Sequence, residues 1–360
     1  MSNDNIERLK NSLNLKTNEA LLIYSNVNRL YFSGFNASSA ALLIFCEKSY
    51  LLVDFRYFEA AKNSVDNIDV VLYSDFFKTF CDLLKKNNIK TVFCEQKNIS
   101  LYMACKFSEQ LEKLKIDLIK DLTLDNAIYD LRKIKTESEI YKIKQAQKIT
   151  EYAFLKSLEN IYEGMSEKEL ALNIEFIMRK NGAKTTAFDL ITIFAENTSL
   201  PHGVPTDKKL KKGDLITMDI GACFEGYCSD MTRTVAFKTI SEEKKNVYNI
   251  VLKAQQEALK KASAGVKCSE IDKTARDYIY NQGFEGCFGH ATGHSLGLEI
   301  HESPSFSSKD DTVLLPGMIM TVEPGIYIEN KFGVRIEDMI LIKNDSVENL
   351  TSVEKELVIL

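Results

Sequence analysis

The chain has 360 residues, more than one hydrophobic core usually serves, so two domains are expected. Its composition, 45% hydrophobic and 27% charged with no Trp, is that of a packed globular protein and excludes disorder. A formal charge of -5, from 46 basic and 51 acidic side chains, excludes a phosphate-backbone footprint, so no nucleic acid is expected as a partner.

The first ten residues are polar and lack the apolar stretch of a signal peptide. No run of about 18 apolar residues offers a membrane span. Eight cysteines (Cys46, Cys81, Cys94, Cys105, Cys223, Cys228, Cys268 and Cys287) form no C-x-x-C pair, and most sit in apolar runs. Buried reduced thiols and a cytoplasmic location are the expectation, with no membrane partner.

Up to about residue 124, strand-like runs at 21–24, 41–46, 50–55, 70–73, 91–94 and 116–119 alternate with helical patterns at 75–86 and 101–114. This alternation predicts an α/β domain over residues 1–125. Residues 121–136 read as charged and irregular. Thr136-Glu137-Ser138-Glu139 then offers a capping box, opening a second domain, residues 126–360. Its helix carries Ile140, Ile143, Ile149, Phe154 and Leu158 near helical spacing, and a second capping box is expected at Ser166-Glu167-Lys168-Glu169. Another helix pair is expected at 242–262 and 270–282. Gly164 and Gly182 bracket one helix as Gly265 and Gly283 bracket the other, which suggests two similar halves with a cleft between them.

Residues 214–221 alternate as a strand and place Leu215, Thr217 and Asp219 on one face. The same period aligns Asp230 with Thr232 and Thr234, and a connection through Glu225-Gly226-Tyr227 suggests a hairpin carrying two inward acids. A buried carboxylate is costly without a compensating cation or strong donors. All four histidines, His202, His290, His294 and His301, lie in the second half, three of them within 289–301 beside Gly289, Gly293 and Gly297. These glycines permit close backbone approach to a ligand, and 298–301 alternates like a strand. Glu323 follows an apolar run, and Glu337 shares a strand-like run with Arg335. Four acids with one or more histidines suit two divalent cations of the Mn, Co or Zn kind, whose charge four carboxylates would balance.

Two apparent motifs fail. Gly293-His294-Ser295-Leu296-Gly297 matches a serine-hydrolase elbow but is not followed by a helical pattern. His301-Glu302 lacks the second His of a zincin helix.

The sequence resembles the metal-dependent Xaa-Pro aminopeptidases and prolidases, peptidase family M24. The resemblance rests on 28–35, 52–57 and 131–136 in the first third, then Leu200-Pro201-His202-Gly203, Met218-Asp219-Ile220-Gly221, 229–234, Val322-Glu323-Pro324-Gly325 and Arg335-Ile336-Glu337-Asp338, in order. It implies an α+β protein: a C-terminal pita-bread (creatinase/aminopeptidase-like) catalytic domain and a smaller N-terminal α/β domain of the creatinase, ribonuclease H-like type. It implies metal ligation by Asp219, Asp230, His294, Glu323 and Glu337, with Mn2+ first and Co2+ or Zn2+ as alternatives. His202, His290 and His301 would lie near substrate and intermediate, with Glu323 also moving a proton and Arg335 orienting ligands. The implied reaction is attack of a metal-activated hydroxide on the carbonyl before a substrate Pro. Aminopeptidase P activity is expected, with prolidase as the alternative, on peptides or dipeptides with Pro at the second position. A homodimer is also implied. The family's frequent Gly-His-Gly-Thr-Gly-His-Gly has Ala291 and Ser295 in place of glycines here. A creatinase-like amidinohydrolase or a non-catalytic binding relative would be expected to lack these ligands.

Overall fold

The computed structural model describes residues 2–360. The chain forms two compact units, Met1–Arg132 and Lys133–Leu360. Among the described residues no helix is long and apolar enough to cross a membrane.

The first unit runs α1 (Ser2–Leu13), β1 (Glu19–Ile23), α2 (Asn26–Ser33), β2 (Ala40–Phe45), β3 (Ser49–Val53), α3 (Phe55–Ser64), β4 (Asp69–Leu72), α4 (Phe76–Lys86), β5 (Thr91–Cys94), α5 (Leu101–Lys113), β6 (Asp117–Ile119) and α6 (Thr123–Lys133). Its six strands form one mixed sheet in the order β4-β3-β2-β1-β5-β6, with β1–β2 and β2–β3 antiparallel and the other pairs parallel. The continuous apolar runs are the central strands: all of β2 and β3 is buried, as expected where helices cover both faces. Phe107 of α5 meets Phe76, Phe77 and Phe80 of α4 at 5.1–5.9 Å between ring centroids, locking that helix pair over Leu22, Leu43, Leu52 and Val92.

Four helices of this unit were not expected. In the stretch read as irregular, α6 buries Leu124, Ile128 and Leu131 on one face. Its charged residues lie between them and obscure that stripe. Asp125, buried on the same face, accepts the backbone N–H groups of Gln96 and Lys97 at 2.8 and 3.1 Å. The helix α1 and the short helices α2 and α3 were also missed; α2 and α3 begin at side-chain caps, Ser25 and Asp54.

The second unit opens with α7 (Glu137–Leu158) and α8 (Glu167–Lys180), then β7 (Thr185–Thr186), β8 (Ile191–Phe194), β9 (Leu215–Ile220), β10 (Ala222–Phe224), β11 (Tyr227–Cys228) and β12 (Met231–Ala236). It continues with α9 (Glu242–Lys261), α10 (Cys268–Asn281), β13 (Gly293–Ser295), β14 (Glu302–Phe306), β15 (Ile319–Val322), β16 (Gly325–Ile328), β17 (Phe332–Arg335), β18 (Asp338–Ile342) and β19 (Val347–Asn349). The helix α7 starts at the complete capping box of Thr136 and Glu139. At α8 only half of the expected box forms: Ser166 accepts the Glu169 N–H, while the Glu169 carboxylate takes the Tyr162 hydroxyl.

Two similar halves are visible. The pair α7/α8 packs with the sheet β12-β9-β8, and α9/α10 with the sheet β14-β13-β15-β18-β19. Gly164, Gly182, Gly265 and Gly283 all have φ between 88° and 104°, the left-handed region that glycine enters without penalty. Isolated bridges at Ser166↔Lys209 and Lys267↔Val313 repeat the correspondence.

The expected hairpin is built differently. β9 pairs directly with β12, Asp219 opposite Thr232, while β10 and β11 form a separate hairpin in their own sheet with β7. All eight cysteines are free, but only Cys81, Cys94, Cys228 and Cys268 are buried, and Cys105 is exposed.

Candidate metal centre

Asp219 lies on β9 and Asp230 directly before β12. His294 is the middle residue of β13, Glu323 follows β15, and Glu337 sits between β17 and β18. Strand pairing therefore gathers residues more than one hundred positions apart. Ligand atoms of Asp230, His294 and Glu337 all lie within 4.8 Å of one another. The His294 Nε2 is 3.3 Å from Glu323 Oε1 and 3.6 Å from Asp230 Oδ2.

The other ring nitrogen, Nδ1, is 3.1 Å from the Ser295 carbonyl, which fixes the ring orientation and leaves Nε2 for the cluster. Burial holds the His294 pKa below its ordinary value, outweighing the backbone carbonyl and the Asp219 charge. Burial thus favours the neutral imidazole, the form able to bind a cation. Burial, then the charges of Glu337, Asp219 and Glu323, push Asp230 well above the usual carboxylate range. Glu337 is raised by burial and by Glu323 and Asp219, and Glu323 chiefly by burial.

One oxygen on each of Asp219, Asp230 and Glu337 is buried with no hydrogen-bond partner. Buried polar atoms ordinarily find partners. Orphaned oxygens on mutually repelling acids fit a site whose missing partner is cationic, and the oxygen-plus-imidazole donor set suits a first-row divalent metal.

Arg335 organises the rim of this cluster. Its Nη2 donates to Asp219 Oδ2 at 2.6 Å, Nη1 to the Tyr327 hydroxyl at 2.7 Å and the Pro201 carbonyl at 3.1 Å, and Nε to Thr232 at 3.2 Å. Thr232 in turn donates to Glu337 at 2.7 Å. His290 reaches the same network, its Nε2 lying 2.9 Å from Tyr327 Oη. His301 stacks edge-on against His294 at 4.5 Å. It is exposed, as is His202, yet His301 is close enough to feel the charges of Glu323 and Asp219. The stretch before His301 is bends, with β14 beginning at Glu302.

Three contributors were missed by sequence reasoning. Tyr327 joins His290 to Arg335, Thr321 donates to Glu323 at 3.1 Å and accepts the His294 N–H at 2.9 Å, and Arg276 holds the His290 loop. Asp272, fully buried on α10, binds Arg276 through both oxygens at 2.7 and 2.9 Å; Arg276 donates to the Phe288 and His290 carbonyls, each at 2.8 Å. The i,i+4 spacing of Asp272 and Arg276 was a signal, shared with many surface pairs.

The glycines around His294 serve packing. A Cβ on Gly293 would lie 2.0 Å from the Thr321 carbonyl oxygen, and one on Gly297 2.8 Å from Glu302, whereas Gly289 faces open space. The close approach is to β15 and Glu302.

Residues 5–134 match the creatinase/prolidase N-terminal domain, and residues 141–344 match metallopeptidase family M24. The chain is 37% identical to a protein named Xaa-Pro dipeptidase from Pyrococcus horikoshii, over 99% of each chain. Among solved structures, an Xaa-Pro dipeptidase from Bacillus anthracis superposes with a TM-score of 0.93 at 37% identity, covering 100% of both chains. An X-Pro aminopeptidase from Thermotoga maritima gives 0.90 at 38% identity, covering 97% of this chain and 100% of its own. The fold is the pita-bread arrangement with a creatinase-type N-terminal domain, and the chain belongs to metallopeptidase family M24.

Proposed function

We propose that this peptidase hydrolyses the bond between a first residue and a following Pro, with Xaa-Pro dipeptides as its leading substrates. The observation that carries the chemistry is the set of buried, partnerless oxygens on Asp219, Asp230 and Glu337. The substrate class is supported by relatives named Xaa-Pro dipeptidase over nearly the whole chain. The sequence resemblance favoured aminopeptidase P over prolidase; prolidase fits these relatives at least as well. The Thermotoga structure keeps aminopeptidase activity on longer peptides as a second reading.

Asp219, Asp230, His294, Glu323 and Glu337 would hold two divalent cations, with Mn2+ the first choice and Co2+ or Zn2+ as alternatives. When bound, such cations supply Lewis acidity toward water and the scissile carbonyl. Glu323, its pKa raised by burial, takes a proton at its carboxylate and returns it to the leaving nitrogen. His301 and His202 donate to the developing oxyanion and the leaving group. His290, set between Phe288 and Tyr327, shapes the Pro side, and Arg335 fixes Asp219.

The test is a panel of an Xaa-Pro dipeptide, an Xaa-Pro-led tripeptide, a longer peptide and a dipeptide without Pro. Each is assayed after metal stripping and after reloading with Mn2+, Co2+ or Zn2+. Chelation should abolish turnover and reloading restore it, with the Xaa-Pro dipeptide fastest. Undiminished activity in the stripped protein, or equal rates without Pro, would overturn the proposal. Faster release from long peptides would select the second reading.

A further inference from the structure

Beside the acid–histidine cluster, the β10–β11 hairpin sets two cysteines opposite each other, Cys223 against Cys228. The turn joining the two strands is Glu225 and Gly226, with φ of 48° and 87°. This is the tight left-handed turn that pins a hairpin register. The Cys228 N–H donates to the Gly297 carbonyl at 2.7 Å, and the Cys223 carbonyl accepts from Lys184 at 2.9 Å. Neither group serves the ladder between the two cysteines, so they form a non-hydrogen-bonded pair. Opposite Cα atoms there stand roughly 4.5 Å apart, within the span of a disulfide. Both are free cysteines, and the Cys228 Sγ donates only weakly, to the Leu298 carbonyl at 3.9 Å.

We propose that Cys223 and Cys228 are a redox modification site, a dithiol that closes reversibly into a cross-strand disulfide under hydrogen peroxide. Cys223, only partly buried, is the entry point, and buried Cys228 resolves it. The Cys228 thiol facing it across the hairpin, outweighing burial, holds the Cys223 thiol below its usual pKa, as reactive thiols require. The Cys223 thiolate attacks one peroxide oxygen and the O–O bond breaks. The departing hydroxide is protonated to water and Cys223 becomes a sulfenic acid. The Cys228 sulfur then attacks that sulfur, the S–O bond breaks, and the hydroxyl leaves with the thiol proton as a second water. Two thiols lose two electrons and two protons, and one peroxide becomes two waters. Only Ser229 separates Cys228 from Asp230, so the bridge constrains the backbone entering β12.

The experiment treats the full chain with graded hydrogen peroxide, then denatures it in N-ethylmaleimide and maps it by peptide mass spectrometry. The expected result is a segment containing Cys223 and Cys228 that is two hydrogens lighter and protected from alkylation, with both thiols recovered after dithiothreitol. In Cys228→Ser, dimedone should label Cys223 about tenfold more than in the wild type, because the resolving thiol is gone. Alkylation of both cysteines at peroxide levels that oxidise exposed Cys105 would overturn the proposal. So would a bridge to any other cysteine, or equal dimedone labelling in the two proteins.

Discussion

The Arg335 guanidinium sits 2.6 Å from the Asp219 carboxylate and also donates to the Tyr327 hydroxyl and the Pro201 carbonyl. One side chain thus neutralises part of an acid cluster while tying three segments to it. A lysine keeps the charge but loses the fork. Arg335→Lys should lower kcat about 10–100-fold, the range for groups that orient metal ligands, with an unchanged circular dichroism spectrum. Near wild-type kcat would show that charge alone suffices.

Asp230 repels its neighbours when no cation is bound. Its folded pKa is raised, as is that of Glu337. The folded metal-free protein therefore binds more protons than the unfolded chain, and its stability falls as pH rises above the ordinary carboxylate range. Asp230→Asn removes one such charge. At pH 7 the stripped variant should melt a few degrees above the stripped wild type, while added Mn2+ should raise its Tm far less than the wild type's. Calorimetry with and without metal reads both effects; identical metal responses would remove Asp230 from the site.

Arg276 touches no proposed ligand, yet it holds the carbonyls on either side of Gly289. Arg276→Lys breaks that fork and loosens His290. KM for an Xaa-Pro dipeptide should rise about fivefold with kcat changed less than about twofold, the pattern of lost substrate binding. Steady-state kinetics decide it: a fall in kcat at constant KM would place His290 in the chemical step.

Gly293 and Gly289 flank the histidine loop with opposite demands. Gly293→Ala must push β13 from β15, because the contact is backbone; it should cost about 1–3 kcal/mol. Gly289→Ala, facing open space, should stay within about 0.5 kcal/mol of wild type. Urea titration of both variants compares them directly.

Much of this arrangement was readable in the chain. Asp219 and Glu323 stood out because an acid closing an apolar run needs a reason, and the strands β1 to β6 lay under plain apolar runs. Two kinds of feature were hidden. The stripe of α6, Leu124, Ile128 and Leu131, is spaced correctly but diluted by charge, and only packing shows which face is inward. Thr232 and Tyr327 acquire their roles from partners up to 105 positions away; nothing local distinguishes them from other hydroxyls on strands. The hairpin β10–β11 was seen as a turn, but its separate sheet depends on β7, a two-residue strand too short to announce itself.

The paired halves of the second unit give the proposed ligands an uneven origin. Asp219 and Asp230 come from the half built on α7 and α8; His294, Glu323 and Glu337 come from the half built on α9 and α10. Neither half alone carries a complete set. A cation held by all five is a clasp across the internal repeat, so metal retention reports whether the two halves have docked. Conditions that pry them apart should release metal before either helix pair melts.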